Sequence, residues 1–240
     1  MILAIDAGNS RVKWGLYHQN DWLAQGSVSN TKLAELPAQL AEHPIPEKVI
    51  ISNVAGPSMA RALEKLLCSG PQITHWVTPQ QEQCGVRNGY LKPNQLGSDR
   101  WAALIAARHR LSSACVVVSS GTALTVDALT ADGHFLGGFI VPGLRLLERT
   151  LAENTAAISL EAGRFHAFPD NTADACHSGA LAALSGAVER MRRQLTQESG
   201  SECPCLISGG DAPLLLPLLA SPILHVENLV LEGLIRIAQS

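Results

Sequence analysis

The chain has no stretch approaching the roughly 18 uninterrupted apolar residues a membrane helix needs, and no basic segment precedes its short N-terminal apolar run. Membrane insertion and an export signal are therefore not expected. Charge of one sign is also lacking. A formal net charge of -3 and a pI near 6.2 leave no electrostatic footprint for a phosphate polymer or an anionic bilayer, so nucleic acid and membrane are excluded as partners and small molecules are favoured. The only basic cluster is Arg190, Arg192 and Arg193, and its place after a helical stretch predicts a solvated helix face without function. The six cysteines, Cys68, Cys84, Cys115, Cys176, Cys203 and Cys205, are scattered, and Cys203-Pro204-Cys205 lacks the two-residue separation of a zinc knuckle. Free thiols in a reducing cytoplasm are expected.

Catalytic signatures are missing as well. There is no Gly-x4-Gly-Lys-Ser/Thr, which excludes a Walker-type kinase, and no Gly-x-Gly-x-x-Gly after a strand, which disfavours a dinucleotide enzyme. The eight histidines, among them His75, His109, His166 and His177, show no His-Glu-x-x-His or His-x-His spacing and read as structural or exposed. Ser10-Arg11-Val12-Lys13 satisfies Ser-x-x-Lys, but it lies on a hairpin and the chain has no Lys-Thr-Gly, so a serine acyl-enzyme is not supported.

What is present is a repeat. With 240 residues, 46% of them hydrophobic, the chain can bury one large core or two modest ones. A strand at Met1–Ile5 runs into a Gly/Asn turn, and Val12, Trp14 and Leu16 then alternate as the second strand of a hairpin. A strand at 22–28, a helix at 31–42, a strand at 49–52, a helix at 59–67, a strand at 73–77 and a helix from Ser98 follow. At Cys115–Val118 the opening returns: an apolar strand, a turn at Ser119–Thr122 in which Gly121-Thr122 matches Gly8-Asn9, an alternating strand through Leu124 and Val126, and a third strand at 135–141. Helices near 143–153 and 172–197 and a strand at 205–208 complete it. This order predicts an α/β protein of two similar ribonuclease-H-like domains with mixed sheets, 1–112 and 113–240, separated by a cleft.

The two hairpin turns are suited to phosphate. Gly8 and Gly121 remove a Cβ so that backbone N–H groups can approach a ligand, and Asn9, Ser10 and Thr122 add side-chain donors. The same residues also suit ordinary tight hairpins. Asp6, before the first turn, is placed to hold a Mg²⁺ carried with a polyphosphate. Lys13, on the polar face of that hairpin, is a candidate phosphate contact. Ile207-Ser208-Gly209-Gly210-Asp211, a strand running into a glycine pair, forms a third loop, fit to admit an adenosine. Ser98 or Asp99 reads as the N-cap of the helix that follows, a place compatible with catalysis because it fixes a carboxylate in one orientation. Asp127 lies in an apolar strand and requires solvent, a basic partner or a cation.

The segment Tyr90-Leu91-Lys92-Pro93-Asn94-Gln95-Leu96-Gly97-Ser98-Asp99-Arg100-Trp101 resembles the substrate motif of the type III pantothenate kinases. Asp6-Ala7-Gly8-Asn9-Ser10-Arg11, Gly121-Thr122-Ala123-Leu124-Thr125-Val126-Asp127 and Gly137-Gly138-Phe139-Ile140-Val141-Pro142-Gly143 are similar to that family too, in order over nearly the whole chain. The resemblance implies the actin-like ATPase superfamily fold, a homodimer, and transfer of the ATP γ-phosphoryl group to the terminal hydroxyl of pantothenate, the opening step of coenzyme A biosynthesis. It further implies Asp99 as the base, Tyr90, Gly97, Ser98 and Arg100 at the pantothenate pocket, and Thr172 as a substrate contact given across the dimer interface. Asp6, Ala7, Gly8, Asn9, Ser10, Arg11, Lys13, Gly121, Thr122 and Gly209 fall to Mg-ATP, and Asp127 to a potassium or ammonium site. Where many relatives carry an acidic residue two positions before the second glycine, this chain has Ser119. The Ser10–Trp14 segment is similar to a subset first described as Bvg accessory factors. A nucleotide-sensing regulator without turnover, and a sugar or acetate kinase of the same fold, are the competing readings.

Overall fold

The computed structural model describes residues 1–67, 72–156, 158 and 161–240; Cys68, expected to be a free thiol, lies outside them. The chain divides into two compact units, Met1–Arg110 with Asn228–Ser240, and Leu111–Glu227.

The first unit opens with strands β1 (Ile2–Ala7), β2 (Arg11–His18) and β3 (Asp21–Ser29). A 3-10 turn (Asn30–Glu35) leads into α1 (Leu36–Ala41), then β4 (Lys48–Asn53), α2 (Pro57–Leu67) and β5 (Ile73–Trp76). A small hairpin of β6 (Glu82–Gln83) and β7 (Val86–Asn88) and a 3-10 turn at Pro93–Gln95 precede α3 (Ser98–Arg110). The sheet order is β3-β2-β1-β4-β5, antiparallel across the first three strands and parallel from β1 through β5. Burial follows this order. Central β1 and β4 bury near-continuous apolar runs (Leu3-Ala4-Ile5; Val49-Ile50-Ile51), whereas edge strand β3 alternates exposed and half-buried positions.

The second unit repeats the plan: β8 (Cys115–Ser120), β9 (Ala123–Leu129) and β10 (His134–Pro142), then α4 (Leu144–Asn154), α5 (Thr172–Ser199), β11 (Cys205–Ser208), α6 (Ala212–Leu215) and β12 (Ile223–His225). Its strands run β10-β9-β8-β11-β12, again antiparallel across three and parallel across the remainder. Strand for strand, this is the order of the first unit. Helix α5 starts where the Asn171 side chain accepts from the Asp174 N–H and stops at Gly200, which adopts φ 69°. It lays Leu181, Leu184, Val188 and Leu195 at helical spacing over Val116, Val118, Val126 and Ile207. Truncating a residue such as Leu184 to alanine costs about 2–5 kcal/mol in a core of this kind.

The final helix, α7 (Leu229–Gln239), groups with the first unit, where it packs against α3, β1 and β4. The approach is backbone to backbone: a Cβ on Gly233 would sit 1.8 Å from the Ala102 carbonyl oxygen. The side chain of Lys48 donates to the carbonyl of Ala238 near the helix end.

The arginine cluster corrects the expectation of a solvated face. Arg190 and Arg193 are exposed, but Arg192 is buried, donating to the carbonyl oxygens of Cys203, Ala220 and Ser221 and pairing with Glu202 at 3.3 Å. A guanidinium has five donors in a planar fork, so one side chain can tie the loops on both sides of β11 to α5.

Candidate active site

In the first unit the site begins where β1 ends. Asp6 is in register with Lys13 on β2 and with Ser52 on β4, so the three side chains leave the same face of the sheet. One carboxylate oxygen of Asp6, Oδ1, is buried without a hydrogen-bond partner. Burial, and then the charge of Asp99, push this carboxyl up to about 7, against the opposing pull of Lys13. A buried carboxylate oxygen with an unused lone pair is the kind of hard donor Mg²⁺ takes, so the residues present fit such an ion.

The turn after Asp6 closes through the Gly8 N–H and the Arg11 carbonyl at 3.1 Å. Its outer carbonyls are taken by Asn30, whose Nδ2 donates to Gly8 O at 3.0 Å and Asn9 O at 2.9 Å. With the acceptors occupied on one side, what the turn offers a ligand is chiefly N–H groups and the Asn9 side chain.

The segment that carried the resemblance folds against the end of β4. Ser98 does not cap its own helix: its hydroxyl meets Ser52 Oγ at 2.9 Å in a buried contact, and the carbonyl of Gly97 takes the first helical N–H, from Trp101. Asp99 curls back, accepting the Arg100 N–H at 2.7 Å, and its Oδ1 lies 2.5 Å from where a Cβ on Gly97 would stand. Glycine at 97 is thus what lets the carboxylate lie there. Burial raises the Asp99 pKa, while the N–H and charge of Arg100 work against the rise. Arg100 is itself buried, donating from Nη1 to the Tyr90 hydroxyl at 3.1 Å with its Cζ 5.7 Å from the centre of that ring. Asn88 holds the loop in shape, accepting the Tyr90 N–H at 3.0 Å and donating to Pro93 O at 3.3 Å.

In the second unit, Ser119 stands where Asp6 stands in the first, in register with Thr125 and Ser208. The Gly121 turn closes onto Ala123 O at 3.1 Å, and backbone N–H groups of Gly143 and Asp211 hold Thr122 O and Ser120 O at 3.0 and 3.2 Å. Two glycines here come too close for a side chain: a Cβ would meet Gly121 O at 2.0 Å from Gly143, and Ser120 O at 2.1 Å from Gly209, which also adopts φ +106°. Asp127 is 1% exposed on β9, so solvent does not satisfy it. Thr172 opens α5 and is exposed.

The first unit therefore gathers Asp6, Lys13, Ser98 and Asp99 around one strand end, with Arg100 and Tyr90 beside them; Gly121, Thr122, Asp127, Thr172 and Gly209 all lie in the second unit. Three supporting residues escaped the sequence reading: Asn30, Ser52 and Asn88. The one signal they carried was position, each being a polar residue at a strand end, and many such residues serve only turns.

Comparison with known proteins agrees with the motifs. A family model described as type III pantothenate kinase matches residues 2–194. Proteins named type III pantothenate kinase from Nitrosospira multiformis and Aromatoleum aromaticum are 45% and 47% identical, each covering 100% of this chain and 91% and 98% of their own lengths. Among solved structures, a Baf family transcriptional activator from Campylobacter jejuni superposes with a TM-score of 0.62 at 21% identity, over 99% of this chain and 97% of that one. A 2-dehydro-3-deoxygalactonokinase from Sinorhizobium meliloti gives 0.58 at 17% identity, over 100% and 98%. These likenesses show the fold alone, an α/β plan in keeping with the repeat and with the actin-like ATPase fold that the resemblance implies. The full-length identity and the matching family model show more than a fold: the chain belongs to the type III pantothenate kinase family.

Proposed function

We propose that this chain transfers the γ-phosphoryl group of ATP to the terminal hydroxyl of pantothenate, giving 4'-phosphopantothenate. The observation that carries the reading is the pair of raised carboxyls, Asp6 and Asp99, packed around one strand end with Arg100 and Tyr90 alongside. Phosphoryl transfer passes through a loose transition state and asks mainly for positioning and charge neutralisation. Asp99 is the base that accepts the hydroxyl proton; its raised pKa makes it a better acceptor than an ordinary carboxylate, and its bond to the Arg100 N–H fixes its direction. Arg100 and Tyr90, with Ser98 and Gly97 shaping the wall, receive pantothenate, whose carboxylate suits a guanidinium fork. Asp6 would hold the Mg²⁺, which when bound neutralises phosphate charge. Gly8, Asn9, Ser10, Arg11 and Lys13 on one turn, and Gly121, Thr122 and Gly209 in the other unit, are assigned to ATP.

Three finer assignments rest on the family resemblance. Asp127 is the monovalent-cation residue, a role its burial suits. A homodimer is supported by apolar side chains left exposed in the second unit, Phe168 at 95%, Ile140 at 63%, Phe165 and Leu146, with Thr172 reaching substrate across it. A cytoplasmic location suits an enzyme of coenzyme A synthesis; among the described residues no helix is long and apolar enough to cross a membrane.

The deciding experiment is coupled ADP release with and without pantothenate and potassium, run against a panel of other acceptor alcohols. Pantothenate-dependent release is expected. Release with a sugar acceptor in its place, or nucleotide binding with no turnover on any acceptor, would overturn the reading in favour of a sugar kinase or a sensor.

A further inference from the structure

The first unit contains a cavity of about 320 Å³ that the kinase chemistry does not use. It opens between the β2–β3 hairpin and the last turns of α3 and α7, and its lining includes Tyr17, Trp22, His109, Arg110, Glu232 and Arg236. Asp99 sits in the first turn of α3 and His109 and Arg110 in its last, so the cavity lies about 15 Å along the helix from the catalytic carboxylate at 1.5 Å per residue.

Its walls differ in kind. On the hairpin side, the Trp22 ring packs against Gly15, where a Cβ would come within 2.5 Å of the indole, and Tyr17 meets Trp22 edge-on at 5.1 Å between centroids. The indole is thus seated by backbone and by a second ring, which makes a rigid aromatic wall. On the helix side, Arg110 is spent: Nε and Nη2 grip both oxygens of Glu232 at 2.6 Å. Arg236 has no such partner. No carboxylate pairs with its guanidinium among the described residues, and its charge, with that of Arg110, adds to partial burial in lowering the His109 pKa, against Glu232. Basic residues at a helix end offset the helix dipole. That accounts for the position of Arg236, but not for an aromatic wall built opposite it.

We propose that this cavity binds a small organic anion, with a flat apolar body against Trp22 and Tyr17 and a carboxylate or phosphate on Arg236, assisted by His109. The volume is that of an ordinary small-ligand pocket, typically about 300–1,000 Å³. One unpaired guanidinium facing a preset ring is the pairing such a ligand requires.

The test is titration of the full chain with indole-3-acetate and, separately, phenyl phosphate, followed by the ¹H–¹⁵N resonances of the tryptophan indoles. Saturable movement of the Trp22 signal is expected with a Kd of about 1 mM or tighter, for at least one probe. Which probe binds more tightly tells carboxylate from phosphate. Arg236→Gln is expected to weaken binding about tenfold or more, the worth of one charge-assisted contact, with pantothenate-dependent turnover unchanged. Trp22→Leu provides a second arm should that variant misfold, and is expected to weaken binding to a similar degree. Absence of saturable movement with both probes, unchanged affinity in Arg236→Gln or Trp22→Leu, or shifts confined to residues around Asp6 would each overturn the proposal. The readout is binding without turnover, so its failure leaves the kinase reading untouched.

Discussion

The two units share one strand order and differ at the same place in it. After β1 the first unit sets Asp6 beside Lys13 and Ser52; after β8 the second sets Ser119 beside Thr125 and Ser208. The first has two ionisable groups and one hydroxyl, the second three hydroxyls. The turns that follow are held differently too. Backbone N–H groups brace both, those of Val54 and Asn30 on Ala7 O and Ser10 O in the first and those of Gly143 and Asp211 in the second, but the first adds a side chain, that of Asn30. A duplicated fold has thus been divided by chemistry. The first copy sets two carboxyls with raised pKa values, Asp6 and Asp99, beside its turn, and the second sets hydroxyls there and holds its turn with backbone N–H groups. In the proposed reaction the base and the metal ligand both come from the first copy, and they are of use only if the phosphate is held still.

The largest effect should come from the charged copy. Asp99→Asn is expected to lower turnover about 10²- to 10⁴-fold while nucleotide binding persists, measured by coupled ADP release and by calorimetry with ATP. In the backbone copy, Gly209→Ala must push a methyl group into Ser120 O and hold a positive φ. A loss of about 2–3 kcal/mol in denaturant unfolding is expected, together with weaker ATP binding.

The pH dependence of Asp6 comes next. Asp6 is raised from 3.8 to about 7, so folding favours its protonated form. The stability this lends is full below about 3.8 and is lost as pH rises to about 7. With Asp6 as the proposed Mg²⁺ ligand, a proton and the ion would compete for the same oxygens, so the Mg²⁺ concentration needed for half-maximal binding should rise about tenfold per pH unit below 7. Asp6→Asn should flatten the unfolding profile over that window; an unchanged slope would show that Asp6 is not its source. Asn30→Ala should cost about 1 kcal/mol and raise the KM for ATP with little change in kcat, because it loosens the first turn alone. Smallest of all, Ser119→Ala should change stability by less than about 0.5 kcal/mol and turnover little, as the turn of the second copy is held by backbone hydrogen bonds.

Much of this division could be read before any coordinates. Short apolar strands broken by Gly/Asn or Ser/Gly turns, and the helices at 98–110 and 172–199, have periods that local sterics impose, and the structure follows them to within a few residues. What escaped was what depends on distant partners. Helix α7 has ordinary helical periodicity, yet nothing in it says that Gly233 will lie on Ala102, some 130 residues back. Arg192 looked like any surface arginine at the end of a helix, and only the loops beside β11 make it a buried tie. Ser98 read as a cap until Ser52, contributed by another strand, took its hydroxyl.

By itself the sequence determined the repeated α/β plan, the two glycine turns and the identity of the carboxylates, because hydrophobic period, turn sterics and residue type are local properties. The tertiary structure alone decided that Asp6 and Asp99 would share one strand end, where burial raises both carboxyls and the charge of Asp99 raises Asp6 further, that Asn30 would brace the first turn, and that a tryptophan would wall a basic cavity at the far end of α3. Those depend on burial and on distances between segments far apart in the chain, and both exist only once the sheets have closed over their cores.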